Sequence, residues 1–155
     1  MVKLKMILEQ KIEVCDLHLL RMNQALEHIQ HLYPFSKEIF PIKKYEDLTS
    51  LEMFISRFSK LQDYMGEYLF PAYLKFLDEN LSLLSMIDRL NKLEKYGILE
   101  TVEKWKYLRD LRNNLAHEYP NSFEMIAVTL NEVFVKCAYL KEVLNRIKNE
   151  YTDRS

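Results

Sequence analysis

Glycine is nearly missing from this chain, with 2 in 155 residues, and proline is scarce at 4. So few turn formers exclude a loop-rich fold and argue for long helices. An excess of one charge is missing too. Twenty-two basic side chains stand against 23 acidic ones, for a net charge of -1. Bulk electrostatics therefore do not mark a nucleic-acid or membrane binder, and any RNA contact needs a local patch. Only two cysteines occur, Cys15 and Cys137, far apart and without metal-ligand spacing. They are expected as reduced, buried thiols of a cytosolic protein, not as a disulfide. No stretch approaches the roughly 18 apolar residues that span a bilayer. Met1-Val2-Lys3-Leu4-Lys5 leads into an amphipathic helix and not into an apolar run, so no secretory signal is expected and a cytoplasmic location is. Internal repeats, low-complexity tracts and convincing strand alternation are all lacking.

What remains is apolar material at helical spacing. The chain is 48% hydrophobic, enough for a real core. Leu8, Ile12, Cys15, Leu19, Met22, Leu26, Ile29 and Tyr33 alternate steps of four and three, a heptad-like seam that Pro34 ends. Residues 34–47 predict an ordered crossing segment, because Phe35, Ile39, Phe40 and Ile42 are too apolar for a free linker. Thr49 with Glu52 has capping-box spacing and places a second helix start near Thr49 or Ser50. Gly66 and Pro71 predict a kink or short break around 66–72. A third helix is expected from about Ser82 to Tyr96, stopping at Gly97. A fourth starts near Thr101 with Val102, Trp105, Leu108, Leu111 and Leu115 on one stripe, and ends before Pro120. Asn121 with Glu124 suggests the next cap. A fifth helix runs from Phe123 through Ile147. The expectation is an all-α up-and-down bundle of four to five helices, one domain over residues 1–150, with a frayed tail at 151–155.

The chemistry concentrates in Arg112-Asn113-Asn114-Leu115-Ala116-His117-Glu118-Tyr119-Pro120. Arginine supplies a cation for phosphate, and histidine moves protons near neutral pH. On an ideal helix Arg109, Asn113 and His117 share a face, and the long stem of Arg112 can swing its guanidinium round to it. At a helix C-terminus the dipole favours a positive imidazole. Asn113 can orient that ring, and Tyr119 places a hydroxyl just beyond. From the residues alone, polar C-capping material accounts for the segment more simply than catalysis does.

Arg112, four residues, His117, one residue, Tyr119 resembles the Arg-x4-His-x-Tyr motif of the HEPN superfamily in its HepT branch. The wider stretch from Leu108 to Pro120 is similar to HepT sequences, as is Arg57-Phe58-Ser59-Lys60-Leu61-Gln62-Asp63-Tyr64-Met65-Gly66. The resemblance implies a HEPN-like homodimer with the motif at a cleft on the dimer axis. It implies a metal-independent endoribonuclease toxin with no cofactor, its RNA substrate cut by Arg112 and His117 with Asn113 and Arg109 in support. The implied partner is a minimal nucleotidyltransferase antitoxin that transfers AMP to Tyr119. An alternative from another class is a non-catalytic HEPN module that docks a nucleotidyltransferase or binds nucleotide.

Other candidates read as structural. His28 and His31 could bind a metal, but with no third ligand near them on the helix a solvated face is expected, and likewise for His18. Asp63 and Arg57, near the end of the second helix, either reach the cleft or enter an intramolecular ion pair on the bundle surface. The tyrosines and phenylalanines fall mainly on apolar stripes and are expected as core or dimer interface, not as base-stacking platforms.

Overall fold

A computed structural model describes residues 2–116 and 122–154. They form helices α1 (Val2–Ile29), α2 (Tyr45–Tyr64), α3 (Phe70–Phe76), α4 (Met86–Lys95), α5 (Val102–Ala116), α6 (Phe123–Lys136) and α7 (Ala138–Arg154), with short 3-10 turns between and no strand among the described residues. A single wide turn joins α2 to α3, and Cys137 alone separates α6 from α7. The chain is thus about five helices in an all-α arrangement.

The heptad-like seam of α1 is its buried face: Leu8, Ile12, Cys15, Met22 and Ile29 are sealed. α2 runs antiparallel along it, since Lys11 lies over Tyr68, His18 meets Arg57 and His31 meets Asp47. Segment 34–47 is ordered as expected. The Asn131 amide accepts from the Phe35 N–H at 2.7 Å and donates to the Phe35 carbonyl at 2.9 Å, satisfying both backbone groups of a buried residue. Phe35 then packs edge-on against Phe134 of α6.

Several boundaries differ from the sequence reading. α2 begins at Tyr45, one turn before Thr49, and Thr49 donates its hydroxyl to the Glu46 carbonyl. Glu46 and Asp47 occupy the first turn, where they favour the helix dipole, and no side chain caps the end. At 66–72, where a kink or short break is expected, the helix does not break but changes its winding. Met65–Leu69 forms a π turn, with the Phe70 N–H bonded to the Met65 carbonyl, and the helix continues through Pro71. One residue more per turn makes room for a ring and a missing N–H that a regular α turn would reject. α4 starts at Met86 and not Ser82, because Ser85 and Asp88 form a reciprocal capping box. Its end at Gly97 is as expected: φ is 79°, and the Ile98 N–H reaches back to Leu93 at 2.9 Å. Ser122 caps α6 by accepting from Met125; the expected cap, Asn121, lies outside the described residues. The expected fifth helix is present as α6 and α7, divided only at Cys137. The tail expected to fray completes α7 as far as Arg154, where Tyr151 packs on Phe76 and donates to Glu9.

Gly66 sits in the π turn, and an added Cβ would meet only Trp105 Cζ2, at 3.9 Å. That is ordinary contact, and its φ is not positive. Gly66→Ala is therefore expected to fold and to gain about 0.5–1 kcal/mol from a less flexible unfolded chain. A lowered melting temperature would show that the turn needs glycine.

Candidate functional site

Thr101 opens α5 by accepting from the Lys104 N–H at 3.1 Å. Val102, Trp105, Leu108 and Leu111 bury one stripe of that helix. The adjoining stripe presents Arg109, Arg112 and Asn113 to a cleft of about 390 Å3, walled on the other side by Gln62, Asp63, Gly66 and Glu67 and closed at one lip by Met86. The three described residues of the motif helix expected to act together thus line one space.

Arg112 is clamped. Its Nε donates to both Asp63 carboxylate oxygens at 2.9 and 3.1 Å, and Nη2 donates to Oδ2 at 2.7 Å. This is the side-on fork of guanidinium on carboxylate. It holds Arg112 even more firmly protonated than an ordinary arginine; partial burial opposes this, and Glu67 adds to it. A guanidinium has a second bidentate edge, Nη1 with Nη2, and Asp63 leaves it open. An anion entering the cleft could take that edge. The formal charge of the lining balances, with Arg109 and Arg112 against Asp63 and Glu67.

His117 and Tyr119 lie outside the described residues, so the catalytic histidine and modified tyrosine expected from the sequence are not placed. Asp63 meets both alternatives, since it lines the cleft and forms an ion pair, with Arg112. Arg57 turns towards α1 and donates to His18 Nδ1 at 3.1 Å. Glu67 and Met86 were not singled out by sequence. Each is an isolated residue on its own element, and only the approach of α2, α4 and α5 brings them to the motif.

The remaining candidates separate from this cleft. His18 is half-buried between α1 and α2, not solvated; burial, then Arg57 and Lys60, hold its pKa below the usual value. His31 contacts the buried Asp47 at 3.1 Å and His28 approaches it at 3.8 Å, while no group of three or more His, Cys, Asp or Glu among the described residues is arranged to hold a metal. Cys15 and Cys137 are free and buried, and burial raises their thiols to about 12 and about 11. Neither is a nucleophile near neutral pH. A larger groove of about 490 Å3 lies against another face of α5, among Tyr107, Val135 and Tyr139, but it holds none of the motif residues. No helix among the described residues is long and apolar enough to cross a membrane.

No protein-family model, curated protein or solved structure matches the chain in comparison.

Proposed function

We propose that this chain is a metal-independent endoribonuclease of HEPN type, in its HepT branch, acting as a homodimer whose cleft is built around Arg112 and His117. The observation that carries the reading is the clamped arginine. Asp63 fixes Arg112 by one edge, and the other edge takes no partner among the described residues, in a cleft shared with Arg109 and Asn113. A fixed guanidinium stabilises charge as it develops on a phosphate, without reorganising during the step.

In the proposed reaction the RNA 2′-oxygen attacks the neighbouring phosphorus. A base takes the 2′ proton, the bond to the 5′-oxygen breaks, and an acid returns a proton to that oxygen. The products are a 2′,3′-cyclic phosphate and a 5′-hydroxyl. His117 supplies one such group per protomer, and a two-fold axis at the cleft supplies the second. AMP placed on Tyr119 by a minimal nucleotidyltransferase would add bulk and negative charge beside the arginine and repel RNA, which suits a toxin held by an antitoxin.

The charge balance of the cleft favours a second reading. With Asp63 and Glu67 offsetting both arginines, the site lacks the positive field that attracts a polyanion, so a non-catalytic HEPN module that docks a nucleotidyltransferase or binds nucleotide also fits. Incubation with mixed RNA in EDTA separates the two. The nuclease leaves cyclic-phosphate ends with wild type and none with His117→Ala. Absence of cutting by protein whose intact mass excludes modified Tyr119 rejects the nuclease. Cleavage that EDTA abolishes rejects the metal-free mechanism.

A further inference from the structure

We infer that the seam between α1 and α2, beside the Arg112 cleft but not part of its lining, is a binding surface for single-stranded nucleic acid, formed by Lys11, His18, Arg57, Lys60, Tyr64 and Tyr68. The inference stands whether or not the cleft cleaves RNA.

These side chains form one continuous ridge. The Arg57 guanidinium donates to His18 at 3.1 Å. The His18 ring meets Tyr64 edge-on at 6.2 Å between centroids, Tyr64 lies 5.0 Å from Tyr68, and the Lys11 ammonium stands 5.5 Å from the Tyr68 ring centre. Lys60 is exposed and close enough to act on His18. Cations thus flank a row of aromatic rings along two helices. That pairing suits phosphates and bases of an unpaired strand, because every base has a face to stack whatever its sequence.

The cations are uncompensated. No carboxylate pairs with Lys11, Arg57 or Lys60 among the described residues, and the nearby acids are engaged elsewhere. Asp63 holds Arg112, Glu67 lines the cleft and acts on the same arginine, Asp16 pairs with Lys148, and Glu9 accepts from Tyr151. Glu13 shares the stripe of Glu9 and Asp16, turned by helical geometry to the far side of α1 from Lys11 and His18. Net charge near zero therefore hides a local segregation: Glu9 and Asp16 of α1 face α7, while Lys11 and His18 face the α2 side. His18 accepts from arginine and so stays neutral, adding a flat ring and no acid.

The rings are also available. Tyr68 is 49% exposed, and only Tyr73 and Tyr139 among the described tyrosines are buried. A second copy of the chain is a poor occupant, since a two-fold contact would set these cations against themselves.

The test uses a fluorescein-labelled, 2′-O-methylated 12-mer of mixed sequence, which binds but lacks the nucleophile for cleavage, so binding is read apart from the cleft's activity. Wild type should bind it, and Tyr68→Ala should weaken binding about tenfold while Tyr68→Phe stays near wild type, because stacking needs the ring and not the hydroxyl. Lys60→Ala should weaken binding and lower the slope of log K against log salt by about 0.7, the value for one single-strand phosphate contact. Both residues are at the surface, and unchanged thermal melts will show that the variants fold. Equal binding by wild type, Tyr68→Ala and Lys60→Ala would overturn the inference, as would no binding by wild type. Displacement by polyglutamate as effectively as by unlabelled oligonucleotide would also overturn it, by making this an acidic-protein surface.

Discussion

Asp63→Asn is expected to cut the RNA-cleavage rate by about one to two orders of magnitude while leaving the protein folded. Asparagine keeps the size of the side chain but not the charge or the second oxygen that accept the Arg112 fork. The arginine then loses its orientation, and misplacing a charge that must meet a transition state costs about this much. The structural cost is small. Both side chains are more than a quarter exposed, and ion pairs in that setting contribute on the order of 1 kcal/mol or less. Asp63 is a positioning residue in this account, so the loss should fall on kcat, with KM changed far less. Arg112→Lys should lose more, about a hundredfold or beyond, because an ammonium cannot hold Asp63 by one edge and a phosphate by the other. Normal kcat in Asp63→Asn, set beside a dead Arg112→Lys, would reduce the clamp to a surface ion pair.

That clamp marks where the sequence stopped being informative. Arg109, Arg112 and Asn113 could be grouped from helical spacing because one helix carries all three, and they do share a cleft. Asp63 lies on another helix. Sequence offered it the cleft or an ion pair without naming the partner, because the partner depends on the rotation of α2 against α1 and α5. The same limit explains the start of α2. Thr49 and Glu52 have the right spacing for a cap, but the Asp47 carboxylate is buried beside His31, and that long-range contact fits a helix begun a turn earlier. Pro71 read as a breaker because the pattern has no way of signalling a π turn. Features set by one helix were legible: the buried seam of α1, the stop at Gly97, the stripe of α5. Exposure of the tyrosines was not, since an aromatic on the edge of an apolar stripe is buried or displayed according to how the neighbouring helix sits.

Trp105→Ala is expected to destabilise the protein by about 3–5 kcal/mol, the cost of emptying a large aromatic site. Trp105 is fully buried, its ring lies 4.7 Å from that of Phe70, and it runs beneath Gly66 under the floor of the Arg112 cleft. A loss of that size approaches the whole stability of a marginal domain, so the urea midpoint should fall by roughly 2 M at an ordinary m-value. Trp105→Phe should behave differently. The indole Nε1 is buried without a hydrogen-bond partner among the described residues, so the wild-type residue is expected to bear a desolvation penalty. Phenylalanine removes that N–H along with part of the ring volume, and the two effects oppose one another. The net cost should stay under about 2 kcal/mol. Because this is the only tryptophan, unfolding must be followed by circular dichroism and not by intrinsic fluorescence. If Trp105→Phe proves as damaging as Trp105→Ala, the N–H is not an orphan and the indole is held by a bond. If Trp105→Ala costs less than about 1 kcal/mol, the ring does not seal the core, and the cleft above it has no rigid floor.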